Sequence, residues 1–295
     1  MKYASGADFR RALETRLRTL GQRDKVPLTR LRKFVAFDRL LARLLRAEPE
    51  NWALKGGLAL QLRLGERART TKDMDVLWRQ SVPDLHQHLV NAASLDINDW
   101  FRFAVEEPRR EPELLPGGGG RRFHVHSLLD SRPFELFHVD IGMDDPMIEP
   151  AQLLQMPALL EFADISPTVV PCFPITQQIA EKVHAYTRPH VSGVSSRVKD
   201  LVDILLLAGL QPLPGLVLRQ ALQATFEALD THPLPTALPD PPRSWALPLR
   251  RMADETGLAW REINDVARAS QQFMNPVLES QEIGSWNPIG WVWEA

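Results

Sequence analysis

The chain has a single cysteine, Cys172, in 295 residues. That excludes an internal disulfide and any zinc site built on several thiolates, and it makes Cys172 a packed core residue rather than a nucleophile. No uninterrupted apolar run approaches the ~18–20 residues of a membrane-crossing helix. The opening residues, MKYASGADFRR, lack the apolar stretch of a signal peptide. A cytoplasmic protein that does not cross a membrane is expected. No repeat organises the chain, and no lysine or arginine follows Arg268. Trp286, Trp291 and Trp293 therefore read as packing for a C-terminal lobe or as a partner surface, not as platforms for stacking bases.

A hydrophobic content of 44% over this length supports a substantial core, divided between two lobes. Net charge is only −2, but it is unevenly spread. Residues 1–47 carry thirteen Lys/Arg against four Asp/Glu, and residues 200–295 lean acidic. Leucines at 13, 17, 20, 28, 31, 40, 41, 44 and 45 give this basic segment an apolar side, so it reads as two amphipathic helices, 8–20 and 28–47. Its polar side is either a solvated face or a contact for a polyanion, since cations that neutralise phosphates release counterions and gain affinity.

Residues 55–75, KGGLALQLRLGERARTTKDMD, hold the densest chemistry. Trp52, Ala53 and Leu54 read as a short strand that stops at Lys55, Gly56 and Gly57. Leu58, Ala59, Leu60, Leu62 and Leu64 then continue as a helix up to Gly65. A glycine turn feeding a helix start presents free N–H groups and partial positive charge, with no Cβ to keep a phosphate away. After the basic loop 66–71, residues 72–78 alternate as a strand, with Asp73 and Asp75 on one face and Met74, Val76 and Trp78 on the other. Two carboxylates on one face repel unless a cation lies between them. Hard oxygen ligands suit Mg²⁺, which takes one or two carboxylates together with substrate phosphates. A lone Gly-Gly is most often a turn and a lone Asp-x-Asp a solvated strand end. The order turn, helix, basic loop, Asp-x-Asp strand is far more specific, and it suits a nucleoside triphosphate.

Further along, a helix is expected over 83–93, whose His86 and His88 read as surface residues because positions two apart do not share a helical face. Strands follow at 100–105 and 123–129, the latter with His124 and His126 on one face, and Gly117–Gly120 reads as a mobile hairpin tip. Residues 134–141, FELFHVDI, put Leu136, His138 and Asp140 on one side of a strand and Phe137, Val139 and Ile141 on the other. Asp140 is a candidate third carboxylate or a strand-end cap. From 150 the character turns helical. One helix covers 175–186, with Gln178 and Lys182 along one stripe, and another carries Arg197-Val198-Lys199-Asp200-Leu201-Val202-Asp203.

With these residues in view, the chain resembles the polymerase-β-like nucleotidyltransferases and, within them, the AbiEii/AbiGii toxins, close to the MenT-type mycobacterial toxins. The resemblance lies in Lys-Gly-Gly, the Ala-Leu helix, Arg69, Thr71-Lys72-Asp73-Met74-Asp75, Lys182 and the Arg-x-Lys-Asp-Leu-x-Asp pattern ending at Asp203. It is clearest over 52–78, 134–142 and 175–207. It implies an α/β fold with a mixed-sheet nucleotidyltransferase core and a mostly helical C-terminal lobe, divided as 1–50, 51–150 and 151–295.

The resemblance also implies a metal-dependent toxin that transfers NMP from an NTP to the 3′ end of tRNA, with an antitoxin as partner. Asp73, Asp75 and Asp140 would hold Mg²⁺. Lys55, Gly56, Gly57, Arg69, Thr71 and Lys182 would hold the triphosphate, and Asp203 would orient Lys182 or act near the attacking group. A neutralising partner would act by binding, or by phosphorylating Thr70 or Thr71 beside the metal strand, where a phosphate would compete for the cation. Two alternatives stay open at this point: a protein or small-molecule acceptor at the same site, and a non-catalytic RNA- or antitoxin-binding module.

Overall fold

The structure, a computed structural model, describes residues 1–69, 71–80, 82–107, 120–143, 145–189, 197–280 and 283–295. It opens with two helices, α1 (Gly6–Arg23) and α2 (Leu28–Ala47). Ser5 caps the first, its hydroxyl accepting from the Asp8 amide at 3.2 Å. Then come β1 (Trp52–Lys55), α3 (Gly56–Leu64), β2 (Asp73–Trp78), α4 (Leu85–Ala93), β3 (Phe101–Glu106), β4 (Arg121–Leu129) and β5 (Arg132–Gly142). β6 (Gln152–Gln155) and β7 (Val169–Cys172) precede α5 (Ile175–Thr187), α6 (Val198–Ala208), β8 (Leu213–Pro214), α7 (Gly215–Leu229), α8 (Ala246–Thr256), α9 (Ile263–Glu279), β9 (Ser285–Asn287) and β10 (Val292–Glu294).

The result is the mixed α/β architecture expected. Among the described residues, seven strands form one sheet in the order β3-β4-β5-β2-β1-β7-β6, with β2–β5 and β1–β7 parallel and the other neighbours antiparallel. Alternation sends Met74, Val76, Trp78, Phe137, Val139 and Ile141 into a core shared with α1, α2 and α4. Phe37 of α2 meets Phe137 edge-on at 4.9 Å between ring centroids. The opposite face of β2 and β5 is left for polar side chains.

Two boundaries differ from expectation. The first two helices are no separate segment, because Phe9, Leu13 and Leu17 lie in the same core as the sheet. The change of character at 150 also comes too early: β6 and β7 belong to the sheet, and Cys172 closes the same core. Burial pushes its thiol up to about 12, so Cys172 is inert as well as buried. Proline-rich short strands such as Val-Val-Pro-Cys carry little periodic signal, which is why this stretch reads as connections.

The basic N-terminus also changes meaning. Arg43 is buried against Asp99, and Arg39 against Asp38. Arg10 donates to the carbonyls of Leu129, Arg132 and Pro133, and Arg30 to those of Gly65 and Ala68. Much of the positive charge therefore ties the first helices to the sheet instead of facing a polyanion. His86 and His88 are half-buried: His86 stacks on Phe123, and His88 lies 2.8 Å from Glu48. At the other end, Trp286, Trp291 and Trp293 donate to the carbonyls of Ala208, Ala269 and Phe273, so the tryptophans pack the helical half. Gly117–Gly119, Thr70, Asp144 and residues 190–196 lie outside the described residues. No helix among the described residues is long and apolar enough to cross a membrane.

Candidate active site

One row of side chains crosses four strands on the polar face of the sheet. Lys55 of β1 pairs in register with Asp75 of β2, Asp75 with Asp140 of β5, and Asp140 with Arg122 of β4. The row therefore reads cation, anion, anion, cation. The next row joins Asp73 to His138 and His138 to His124. His138 Nδ1 lies 3.1 Å from Asp73 Oδ1, and the two imidazoles meet at 4.6 Å. Strand periodicity thus puts the three expected carboxylates on one face, with Asp75 and Asp140 side by side on parallel neighbours and Asp73 in the next row.

The two central carboxylates are held differently. Arg122 donates to both oxygens of Asp140, at 2.6 Å each, a fork that matches carboxylate geometry. Among the described residues Asp75 has only the Gly57 amide, at 3.3 Å, and its pKa is raised, by burial first and then by the charge of Asp140. Among the described residues, no three His, Cys, Asp or Glu side chains are already gathered closely enough to hold a metal ion. Even so, the donor set is one of hard oxygens whose mutual repulsion a cation would relieve, and the Arg122 guanidinium stands where such a charge is wanted. These residues fit a hard divalent ion.

The glycine turn is built around Asp75. Gly56 has φ +62°, and a Cβ there would overlap the Asp75 carboxylate. A Cβ on Gly57 would lie 2.7 Å from Thr71 Oγ1. Glycine is required at the first position by conformation and at both by space. The Thr71 hydroxyl donates to the Asp73 carbonyl at 3.1 Å and fastens the basic loop to the start of β2.

Two half-buried lysines flank this turn, each gripped by a pair of carboxylates. Lys55 Nζ lies 2.6 Å from Asp145 and 2.9 Å from Glu181. Lys182 Nζ lies 2.9 Å from Asp200 and 2.9 Å from Asp203. Burial alone would depress both lysines, but Glu181 and Asp145 around Lys55, and Asp203 and Asp200 around Lys182, outweigh it and hold the ammonium groups above the ordinary lysine range. Both are charged at any physiological pH. Arg69 reaches Asp203 at 3.3 Å.

A cavity of about 510 Å³ gathers most of these groups. Lys55, Gly56, Gly57, Arg69, Thr71, Asp73, Asp75, Asp140 and Lys182, all expected from sequence, line it. Asp203 does not: at 1% exposure it sits behind Lys182, bonded to Lys182 and Arg69. Sequence reasoning missed Arg122, Asp145, Glu181, Arg188 and Lys199, which also line the cavity. Lys199 is inside the Arg-x-Lys-Asp pattern, so it was within reach.

By sequence alone, no curated protein matches the chain. Among solved structures, the fold is similar to MenT4, a nucleotidyltransferase toxin of Mycobacterium tuberculosis, at 18% identity and a TM-score of 0.50, over 83% of this chain and 89% of that one. JHP933 of Helicobacter pylori matches at 14% identity and a TM-score of 0.43, over 84% and 92%. Residues 39–275, from within α2 to within α9, match the family described as nucleotidyl transferase AbiEii toxin of type IV toxin–antitoxin systems. That span takes in every residue of the site, and the chain belongs to the AbiEii family of nucleotidyltransferase toxins.

Proposed function

We propose that this toxin transfers a nucleoside monophosphate from an NTP to the 3′ end of tRNA, in the cytoplasm and with Mg²⁺. The observation that carries the reading is the juxtaposition of Asp75 and Asp140, in register, beneath the Gly56–Gly57 turn and on the same cavity as Lys182. An NTP substrate and an antitoxin partner follow from family membership. The acceptor and the identity of the metal are the further step.

Asp73, Asp75 and Asp140 would hold the ion. When bound, it supplies positive charge to the α-phosphate and to the departing pyrophosphate. The protein's own groups do the rest. The start of α3 offers N–H groups and no Cβ to the triphosphate. Lys182 and Arg69 add positive charge, and Asp203, fixed behind both, holds their heads in place. Lys55 is tied to Asp145 and Glu181, so it supplies field to the carboxylate row and reaches phosphate only if that clamp loosens. The acceptor hydroxyl gives up its proton, to solvent or to a carboxylate of the row, as its oxygen bonds to the α-phosphorus and the bond to the pyrophosphate oxygen breaks, and positioning plus electrostatics account for the acceleration.

The test incubates the protein with each α-labelled NTP and, separately, total tRNA, a protein extract and a set of small hydroxylated acceptors. Label should enter tRNA, and Asp73→Ala and Lys182→Ala should abolish it in folded protein. Label in protein or small molecules instead, or full activity in folded Asp73→Ala, overturns the reading.

A further inference from the structure

Five of the eight lysines and arginines on the cavity wall have a carboxylate partner among the described residues. Lys55, Arg69, Arg122, Lys182 and Arg197 are all ion-paired. Lys72, Arg188 and Lys199 make no ion pair and no side-chain hydrogen bond among the described residues. Lys72 is exposed, at the edge of β2, where an unpaired lysine needs no explanation. The other two stand at the ends of two helices: Arg188 caps the C-terminus of α5, and Lys199 lies in the first turn of α6.

A cation suits the C-terminal end of a helix, which accounts in part for Arg188. Lys199 has no such reason. It stands at the positive end of α6, where the helix dipole disfavours it, and burial lowers its pKa. Its nearest carboxylate, Asp200, is already taken by Lys182 and Arg197. A half-buried, unshared positive charge facing a cavity is unfavourable in the free protein and becomes favourable once an anion arrives.

For Arg188 the triphosphate is not the natural candidate for that anion. α5 starts at the glycine turn, where Gln178 Nε2 donates to the Gly56 carbonyl at 2.9 Å. At 1.5 Å per residue, Arg188 lies roughly 15 Å further along the helix. The acceptor must enter the same cavity, and a nucleic-acid acceptor brings a phosphate with every nucleotide. We propose that Arg188 and Lys199 form a second phosphate subsite for the backbone of the acceptor nucleic acid, reaching from beside the Lys182 clamp, where Lys199 precedes Asp200, to the end of the cavity away from the glycine turn, where Arg188 stands. This rests on the reading of the acceptor as RNA.

The test uses the full chain and compares wild type, the double variant Arg188→Gln/Lys199→Gln, and the charge-retaining Arg188→Lys/Lys199→Arg. Thermal melting checks folding, and Arg188→Gln alone serves if the double variant does not fold. Binding of labelled total tRNA is measured over a salt series, and binding of each Mg²⁺–NTP at fixed salt. The wild type should bind tRNA with strong salt dependence. The double variant should bind roughly tenfold more weakly, with a salt slope shallower by about 1.4 for two lost contacts to a single strand. NTP affinity should stay within about twofold, and the charge-retaining variant should recover most of the tRNA binding. Unchanged tRNA affinity in the double variant overturns the subsite. Loss of NTP affinity with tRNA binding intact also overturns it, because the anion is then the triphosphate. A wild type that binds no tRNA removes the acceptor reading itself, and the subsite with it.

Discussion

Replacing Asp75 by asparagine should make the metal-free protein more stable while ending its activity. Asp75 and Asp140 sit on neighbouring strands, and Asp75 has one weak hydrogen bond, from the Gly57 amide. At a strand spacing of about 4.8 Å, two such charges repel by roughly 3 kcal/mol at an effective dielectric constant near 20. Lys55 on the other side of Asp75 and the Arg122 fork on Asp140 offset much of this. A residual penalty of about 1 kcal/mol remains, the scale on which active-site substitutions commonly stabilise. Asparagine keeps the shape and still offers an oxygen to the Gly57 amide.

The sign with pH follows from the raised pKa of Asp75. The folded protein holds this proton more tightly than the unfolded chain does. The wild type therefore loses stability, relative to the neutral variant, as pH climbs from the unfolded carboxyl value through the higher folded one. The gap should be full at pH 8 and should narrow towards pH 4. Urea unfolding at both pH values, without divalent ions, measures it. A variant less stable than wild type at pH 8, or a gap that does not change with pH, refutes the view of Asp75 as a strained carboxylate.

Two further outcomes follow from the same row. Arg122→Gln frees both oxygens of Asp140, and Mn²⁺ titration by electron paramagnetic resonance should show affinity rising about two- to fivefold, the worth of a partly exposed charge pair; equal or weaker Mn²⁺ binding would count against Arg122 as the resident counter-cation. Gly56→Ala puts a Cβ into the Asp75 carboxylate at a left-handed position. It should destabilise the fold by at least ~1–2 kcal/mol from backbone conformation alone, and a thermal melt within error of wild type would contradict the built geometry.

The central unit was legible because its signals are local. Glycines end β1, period-2 alternation assigns the faces of β2 and β5, and Asp73, Asp75 and Asp140 need only those faces to be found. Arg122 was not legible, for a physical reason. The hairpin from β4 to β5 turns at Asp130 and Ser131, both with positive φ, and Leu129 pairs with Arg132. Counting back from that turn pairs Arg122 with Val139, on the buried face. An irregularity between Ser127 and Leu128 shifts the register by one, so that Arg122 meets Asp140 instead. Asp145 and Glu181 were hidden differently. They reach Lys55 across the fold, and no spacing along the chain announces a partner 90 or 126 positions away.

The two lysine clamps explain why the site needs both halves of the molecule. Glu181 and Lys182 are adjacent on α5, yet Glu181 joins Lys55 of the sheet, whereas Lys182 joins Asp200 and Asp203 of α6. α5 is thus the hinge pin between the carboxylate row and the cationic wall. α3 serves the same purpose in the apolar interior: Leu58 and Ala59 lie in the core of the sheet, and Leu60 and Leu64 in that of the helices. The motif that forms the anion turn is therefore also the seam between the two cores.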